Sequence, residues 1–192
     1  MNYIEEALLF ACIKKDRAAQ FQLYKNCYPF LKGISARYVK NSDDSDALVN
    51  MGFLKILNNL EKYKREIPFT FWMRKVMINT IIDEYRKDKK RKELHRHIDF
   101  NESYAQYDSA VTNDFIKQTD AQQIYLLIAE LPPTSKQVFN LFVIDGYSHK
   151  EISAMLGMSE GTSKWHLNYA RNKLKEMLAT LADINRIKIA AS

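Results

Sequence analysis

Residues 148–174 read SHKEISAMLGMSEGTSKWHLNYARNKL, and two helices joined by a very short turn are written in them. Ser148, followed three residues later by Glu151, makes a capping box in which each side chain satisfies an amide of the other's turn. Gly157 supplies the left-handed residue that ends the first helix, and Ser159 caps the second. About three residues, Gly157 to Ser159, separate them, which is the turn length of a helix-turn-helix unit. In the second helix Ser163, Leu167, Ala170, Leu174 and Met177 recur at spacings of 4, 3, 4 and 3, a stripe that faces a core. Trp165 then lies nearly opposite the stripe. Thr162, Asn168, Tyr169 and Asn172 surround it, with Lys164 and Arg171 on one flank and Lys173 on the other. Such a face suits a DNA major groove: amides read base edges, cations hold phosphates, and Trp165 meets a thymine methyl or a sugar. The competing account packs Trp165 against another helix. Its place in the second helix of a helix-turn-helix unit favours base contact, the usual role of that helix.

Working outward, the helical period dominates and no strand alternation or internal repeat is found. Upstream of the turn, one helix is expected over about 121–130, stopped by Pro132-Pro133, and another over about 134–144, ended by Asp145-Gly146. Near the start, Leu8, Leu9, Cys12 and Ile13 make one stripe, which Phe21, Tyr24, Tyr28 and Leu31 continue, followed by Ile34, Tyr38 and Val39. The run NSDDSD at 41–46 breaks the chain and caps a helix carrying Leu48, Val49, Phe53, Ile56, Leu57 and Leu60. A loop over 63–69, with Pro68 near a first turn, leads into a long helix, FTFWMRKVMINTIIDEYRKDKKRK. Residues 94–120 are polar and weakly periodic. The expected fold is therefore all-α: two small helical domains joined by an acidic linker, the C-terminal one a helix-turn-helix. The boundaries are 1–95, a linker at 96–120, 121–182, and a tail at 183–192.

Composition fits this reading and excludes several classes. The chain has 192 residues, 46% hydrophobic and 27% charged, with few Gly and Pro. No apolar run is long enough to span a membrane. The first residues carry acids ahead of their apolar stretch and no small-residue cleavage site, which argues against a secretory signal. Cys12 and Cys27 read as reduced, buried thiols of a cytoplasmic protein. No metal-ligand spacing, nucleophile–base pattern or phosphate-cradling Gly loop is present, so no catalytic residue, metal or cofactor is expected. Charge is uneven. Residues 1–97 hold 20 Lys/Arg and 12 Asp/Glu, a net of +8; residues 98–132 are net −5; residues 133–192 are net +3. Two basic segments flanking an acidic one fit a polyanion touched at two places.

Residues 131–178 resemble the promoter −35-binding domain of RNA polymerase sigma factors of the extracytoplasmic-function group. The shared positions include Leu131, Pro132, Val138, Phe139, Gly146, Ser148, Glu151, Ile152, Gly157, Ser159, Gly161, Thr162, Lys164, Leu167, Ala170, Arg171 and Leu174. Residues 44–63 are similar to that group's clamp-docking helix. Residues 69–92 are similar to its −10 helix, through Phe69, Trp72, Met73, Val76, Asn79, Asp83 and Arg86. The resemblance implies binding to core RNA polymerase and promoter DNA, with an anti-sigma factor as a further partner. It departs at Asn50 and Met51, where Gln and an acid are usual, and at Trp165, His166 and Tyr169, where Ser, Arg and Arg are common. A −35 sequence unlike that of better-known relatives is therefore expected.

The candidate sites follow. The −35 contacts are Thr162, Lys164, Trp165, Asn168, Tyr169, Arg171 and Asn172. Six bases in the seven residues RKDKKRK at 86–92 exceed what a helix end needs, so Arg86, Lys87, Lys89, Lys90 and Arg91 are read as phosphate contacts. The resemblance adds Asn79, which would hold a flipped base of the opened −10 strand in a pocket formed by loop 63–68 with Tyr63, Lys64 and Arg65. Tyr63 and Phe71 are candidates for exposed stacking, whereas Phe69 and Trp72 are expected in the core. Asp44, Asp46, Asn50 and Phe53 would meet polymerase. By the same resemblance the acidic linker, with Asp99, Glu102 and Asp108, would thread polymerase near template and nascent RNA. The runner-up is a stand-alone helix-turn-helix regulator, which would not need the segment 44–92.

Overall fold

In the computed structural model, which describes residues 4–39, 41–96 and 120–190, the regular elements are helical and no strand occurs among the described residues. They are α1 (Glu6–Ile13), α2 (Arg17–Ser35), α3 (Ser42–Asn58), α4 (Phe69–Arg96), α5 (Asp120–Ala129), α6 (Pro133–Phe139), α7 (His149–Leu156) and α8 (Glu160–Ala190). A 3-10 turn, Leu60–Lys62, follows α3, and a π turn, Asn140–Ile144, follows α6. The chain divides into two compact units, residues 1–92 and 93–192. Most of the acidic segment, with Asp99, Glu102 and Asp108, lies outside the described residues.

The first unit is built on helix seams that local chemistry starts and tertiary chemistry closes. Asp16 caps α2 by accepting the Ala19 N–H at 2.8 Å, and Asn41 caps α3 by accepting the Asp43 N–H at 2.8 Å. Leu23, Cys27, Leu31 and Ile34 of α2 pack into a core with Val49 and Ile56 of α3 and Met73, Met77 and Ile81 of α4. Between α2 and α3 the Ser35 and Ser45 hydroxyls bond each other at 2.6 Å, which satisfies two buried polar groups at once. Gly52 lets α4 approach α3, since a Cβ there would stand 2.5 Å from Met77 Sδ. The stripe expected through Phe21 is corrected. Phe21 is 62% exposed under the Lys25 ammonium, and the buried line begins at Leu23. Tyr24 and Tyr28 sit at its edge because their hydroxyls reach Asn50 and Asp46 on α3, so their rings are anchored by polar partners. Cys12 and Cys27 are buried, and burial pushes the Cys27 thiol up to about 12, so it stays protonated.

The second unit follows its sequence punctuation closely. Ser148 and Glu151 form the capping box, Ser148 N–H donating to Glu151 Oε2 at 2.8 Å and Glu151 N–H to Ser148 Oγ at 3.3 Å. Gly157 has φ +64° and closes α7, with the Met158 N–H reaching the Ser153 carbonyl at 3.1 Å. Ser159 accepts the Thr162 N–H at 3.0 Å and so starts α8. Ile128, Leu131, Ala170 and Leu174 form a buried cluster, with Phe139, Ile144 and Met177 against it. Ser163, Leu167, Ala170 and Leu174 are all buried, so the stripe on α8 is the one the spacing predicts. α8 continues as helix through residues 183–190, which the sequence reading assigns to a tail.

Candidate nucleic-acid interface

The buried stripe fixes which way α8 faces. With Leu167 and Leu174 inward, Trp165 is 58% exposed and Tyr169 is 39% exposed. Their rings stack on each other, centroids 5.5 Å apart and planes 21° apart, and make an apolar ridge one helical turn long. Asn168 and Asn172 are exposed beside it. At about 100° per residue, the sector within about 60° of Trp165 holds Gly161, Thr162, Asn168, Tyr169 and Asn172 in the first four turns of α8, and none of these is charged. Lys164 and Arg171, both exposed, border that sector on one side and Lys173 on the other. The Arg171 guanidinium lies 6.0 Å from the Phe142 ring centroid, and Lys173 pairs with Glu176 at 3.2 Å. Thr162 is exposed, but its hydroxyl is 2.8 Å from Ser159 Oγ, so it also serves the helix start.

Two histidines that the sequence did not mark as site residues hold this helix in place. His166 Nδ1 is 2.9 Å from Ser135 Oγ of α6. His149 Nδ1, on α7, is 2.9 Å from Ser163 Oγ of α8, and its ring stacks on Phe142 with centroids 4.5 Å apart. Burial lowers the pKa of both; beside His149, Lys164 and Arg171 lower it further while Glu160 opposes them. His166 is thus bonded within its own domain, with its ring edge-on to Trp165 at 4.9 Å between centroids. A signal was available: His166 lies three residues after Ser163 and four before Ala170, so it borders the buried stripe.

On the first unit, the α4 residues Arg86, Lys87, Lys89, Lys90 and Arg91 are all exposed. Lys87 pairs with Glu84 at 2.6 Å and Arg91 with Asp88 at 2.7 Å, both one turn away. Asn79 is exposed, whereas its neighbour Thr80 is buried and donates its hydroxyl to the Val76 carbonyl at 2.9 Å. An open cleft of about 640 Å³ does lie against the loop, but its facing wall is Leu9, Phe10 and Ile13 of α1. Asn79 stands ten residues past Phe69, about 15 Å along the helix, and does not line it. Tyr63 is not an open stacking platform either. It is half-buried against Phe69 and Trp72, which ties the loop to α4, and its hydroxyl donates to the Ile67 carbonyl at 2.7 Å, which closes the loop on itself. Phe69 and Trp72 are likewise half-buried members of this cluster and not deep core. Phe71, at 65% exposed, is available. Lys64 and Arg65 are exposed, and Arg65 pairs with Glu6 at 3.1 Å.

The candidate polymerase contacts separate into surface and support. Asp44 is exposed. Asp46 accepts from Lys32 Nζ and Tyr28 Oη, each at 2.7 Å, and these bonds lower its pKa, so it clasps α2 to α3. Asn50 is exposed and accepts from Tyr24 Oη at 2.9 Å. Phe53 is corrected: it is 7% exposed and packs edge-on against Tyr24, so it supports the helix and offers no surface. The apolar residues that α3 does present are Met51 and Leu54, which sequence reasoning had not chosen.

Comparison with known proteins draws these features together. Residues 23–91 match Sigma-70 region 2, and residues 121–174 match Sigma-70, region 4. The RNA polymerase sigma factor SigZ of Bacillus subtilis (strain 168) is 31% identical over 148 residues, 77% of this chain and 80% of SigZ. The chain belongs to the sigma-70 family of RNA polymerase sigma factors. SigV of the same organism is 26% identical over 180 residues, 94% of this chain and 96% of SigV. Further relatives are extracytoplasmic-function factors, the group the sequence motifs resemble. The fold is also that of the sigma factor RpoE from Bartonella quintana, solved in complex with the anti-sigma factor NepR. That likeness has a TM-score of 0.51 at 21% identity and covers 82% of this chain and 95% of that one. Among the described residues no helix is long and apolar enough to cross a membrane, and no group of His, Cys, Asp and Glu could hold a metal ion.

Proposed function

We propose that this sigma factor divides promoter recognition between two surfaces of unlike chemistry. Residues 121–182 read the −35 element: Trp165, Asn168, Tyr169 and Asn172 meet base edges, and Lys164 and Arg171 hold phosphates. Residues 1–95 serve the −10 region and polymerase. Arg86, Lys87, Lys89, Lys90 and Arg91 hold phosphates, Lys64 and Arg65 add charge beside the loop, and Asn79 offers an amide to a base of the opened strand. The outer face of α3, with Asp44, Asn50, Met51 and Leu54, docks on core polymerase, and residues 96–120 connect the two parts. The chain works by binding and makes no covalent bond: capture of an extruded base offsets an unstacking cost of a few kcal/mol. It acts in the cytoplasm, with an anti-sigma protein as a further partner class.

The observation that carries this reading is the outward sector of α8, uncharged at its centre and bracketed by cations, on the second helix of a helix-turn-helix unit. The test is transcription from a library of bacterial upstream fragments by core polymerase, with and without the purified chain. Discrete start sites that need both components are expected. DNA binding without core-dependent initiation would favour the stand-alone regulator.

A further inference from the structure

The centre of the α8 face has a chemistry that selects among base pairs. Guanine is read most often by an Arg or Lys fork on its O6 and N7, adenine by an Asn or Gln amide on N6 and N7, and thymine by apolar contact with its C5 methyl. In the sector around Trp165 there is no cation, while two amides, Asn168 and Asn172, flank two aromatic rings. The basic side chains nearest to it are occupied or peripheral: Arg171 lies near the Phe142 ring, Lys173 pairs with Glu176, and Lys164 is on the flank. Lys175, exposed one turn past Asn172, borders the sector on the Lys164 side, and His166 is bonded to Ser135. Amides for adenine and an apolar ridge for the methyl of its partner describe one base pair, A·T.

We propose that the stacked Trp165–Tyr169 ridge reads thymine C5 methyl groups, so that the −35 element of this factor carries A·T pairs where the ridge lies. The inference rests on the reading of α8 as the −35 helix and names what that helix selects. Two properties of the ridge support it. Its rings are exposed yet stacked on each other, so they meet DNA as one preformed apolar surface and lose little side-chain freedom on contact. Four residues of helix rise about 6 Å, so the ridge spans roughly two base-pair steps of about 3.4 Å each.

The experiment selects promoter fragments, randomised over the upstream element, with holoenzyme assembled from the full chain and bacterial core polymerase. Thymines in the enriched element are then replaced one at a time by deoxyuridine, which deletes the methyl and keeps the pairing edge. Enriched A·T pairs are expected, with about a fourfold loss of affinity for each methyl that meets the ridge, the change that burial of one carbon brings. A chain carrying Trp165→Ala and Tyr169→Ala should bind thymine and deoxyuridine DNA alike. Both side chains are exposed, so the fold does not depend on them, and the deoxyuridine arm needs no variant at all. Enrichment of guanine at the ridge, or equal binding of thymine and deoxyuridine DNA by the unaltered holoenzyme, overturns the methyl reading and leaves promoter recognition standing. Failure of holoenzyme to enrich any upstream element overturns the −35 reading itself.

Discussion

The outer face of α8 and the exposed end of α4 both sit on long helices, yet one is uncharged at its centre and the other is nearly all charge. Arg86 to Arg91 put five cations and one carboxylate on a turn and a half of helix. Such a surface holds a phosphate backbone of any sequence, because a point charge carries no base information. The α8 sector has amides and rings, whose contacts depend on which base edge lies opposite. On the proposed reading the α4 cluster contributes mainly affinity and the α8 sector mainly choice, so separate substitutions should affect them separately.

The largest effect is expected from replacing Arg86, Lys87, Lys89 and Lys90 with Gln. Each duplex phosphate contact adds about 0.9 to the slope of log affinity against log salt. Four contacts would give somewhat under 4, and Lys87 also has Glu84 to compete with, so the slope should fall by about 3. Binding should weaken on every promoter alike, as measured by titration of holoenzyme at several salt concentrations. An unchanged slope would remove α4 from the phosphate backbone.

Trp165→Ala or Asn168→Ala should do the reverse. The salt slope stays, while preference at the affected position changes by about 1–3 kcal/mol for Asn168→Ala and by about fourfold per lost methyl contact for Trp165→Ala. Competition between the selected element and single-base variants would read this directly. Promoter choice identical to that of the unaltered chain would return Trp165 to a protein-packing role.

The comparison also shows where sequence was enough. Caps and breakers obey rules that act within four residues, so Ser148 with Glu151, Gly157 and Ser159 could be placed in advance, and the α8 stripe followed by arithmetic. Burial of single residues was less accessible. Phe21 has the hydrophobicity of a core residue, but the core belongs to Leu23 and Cys27 because Tyr24 and Tyr28 take polar partners on α3. Asn79 and Thr80 are neighbours with opposite fates: Thr80 falls on the face of Met73, Met77 and Ile81 and satisfies its hydroxyl on the preceding turn, whereas Asn79 lies on the opposite face of the helix. The bonds of His166 to Ser135 and His149 to Ser163 join residues 31 and 14 apart, and no spacing rule announces them.

A smaller effect tests whether the α8 face depends on its turn. Gly157 has φ +64°, where a Cβ costs about 1–2 kcal/mol. No atom stands within 4 Å of a Cβ built there, so Gly157→Ala reports backbone strain free of any clash. A lower unfolding midpoint by circular dichroism is expected, with −35 choice unchanged in the folded protein. Unaltered stability would mean that the turn relaxes without the left-handed residue.

The smallest effect is a pH dependence. His149 and His166 both have folded pKa values below the ordinary 6.5, chiefly through burial, so the folded state binds fewer protons than the unfolded one. Their contribution to stability is fully present above about pH 6.5 and is lost as pH falls through the lowered folded values. Groups around His149 act in both directions, Lys164 and Arg171 disfavouring its cation and Glu160 favouring it. His166 should therefore show the cleaner dependence, with burial as its sole cause. Asp46, in the other unit, also loses a stabilising contribution in acid, but its pKa lies below the carboxylate range and its window is separate. Melting followed between pH 7.5 and 5 should show a falling midpoint, and His166→Gln should flatten the curve by removing the titrating group while keeping a polar side chain near Ser135. A slope that survives His166→Gln and His149→Gln together would assign the acid sensitivity elsewhere and leave the two rings as packing that merely happens to titrate.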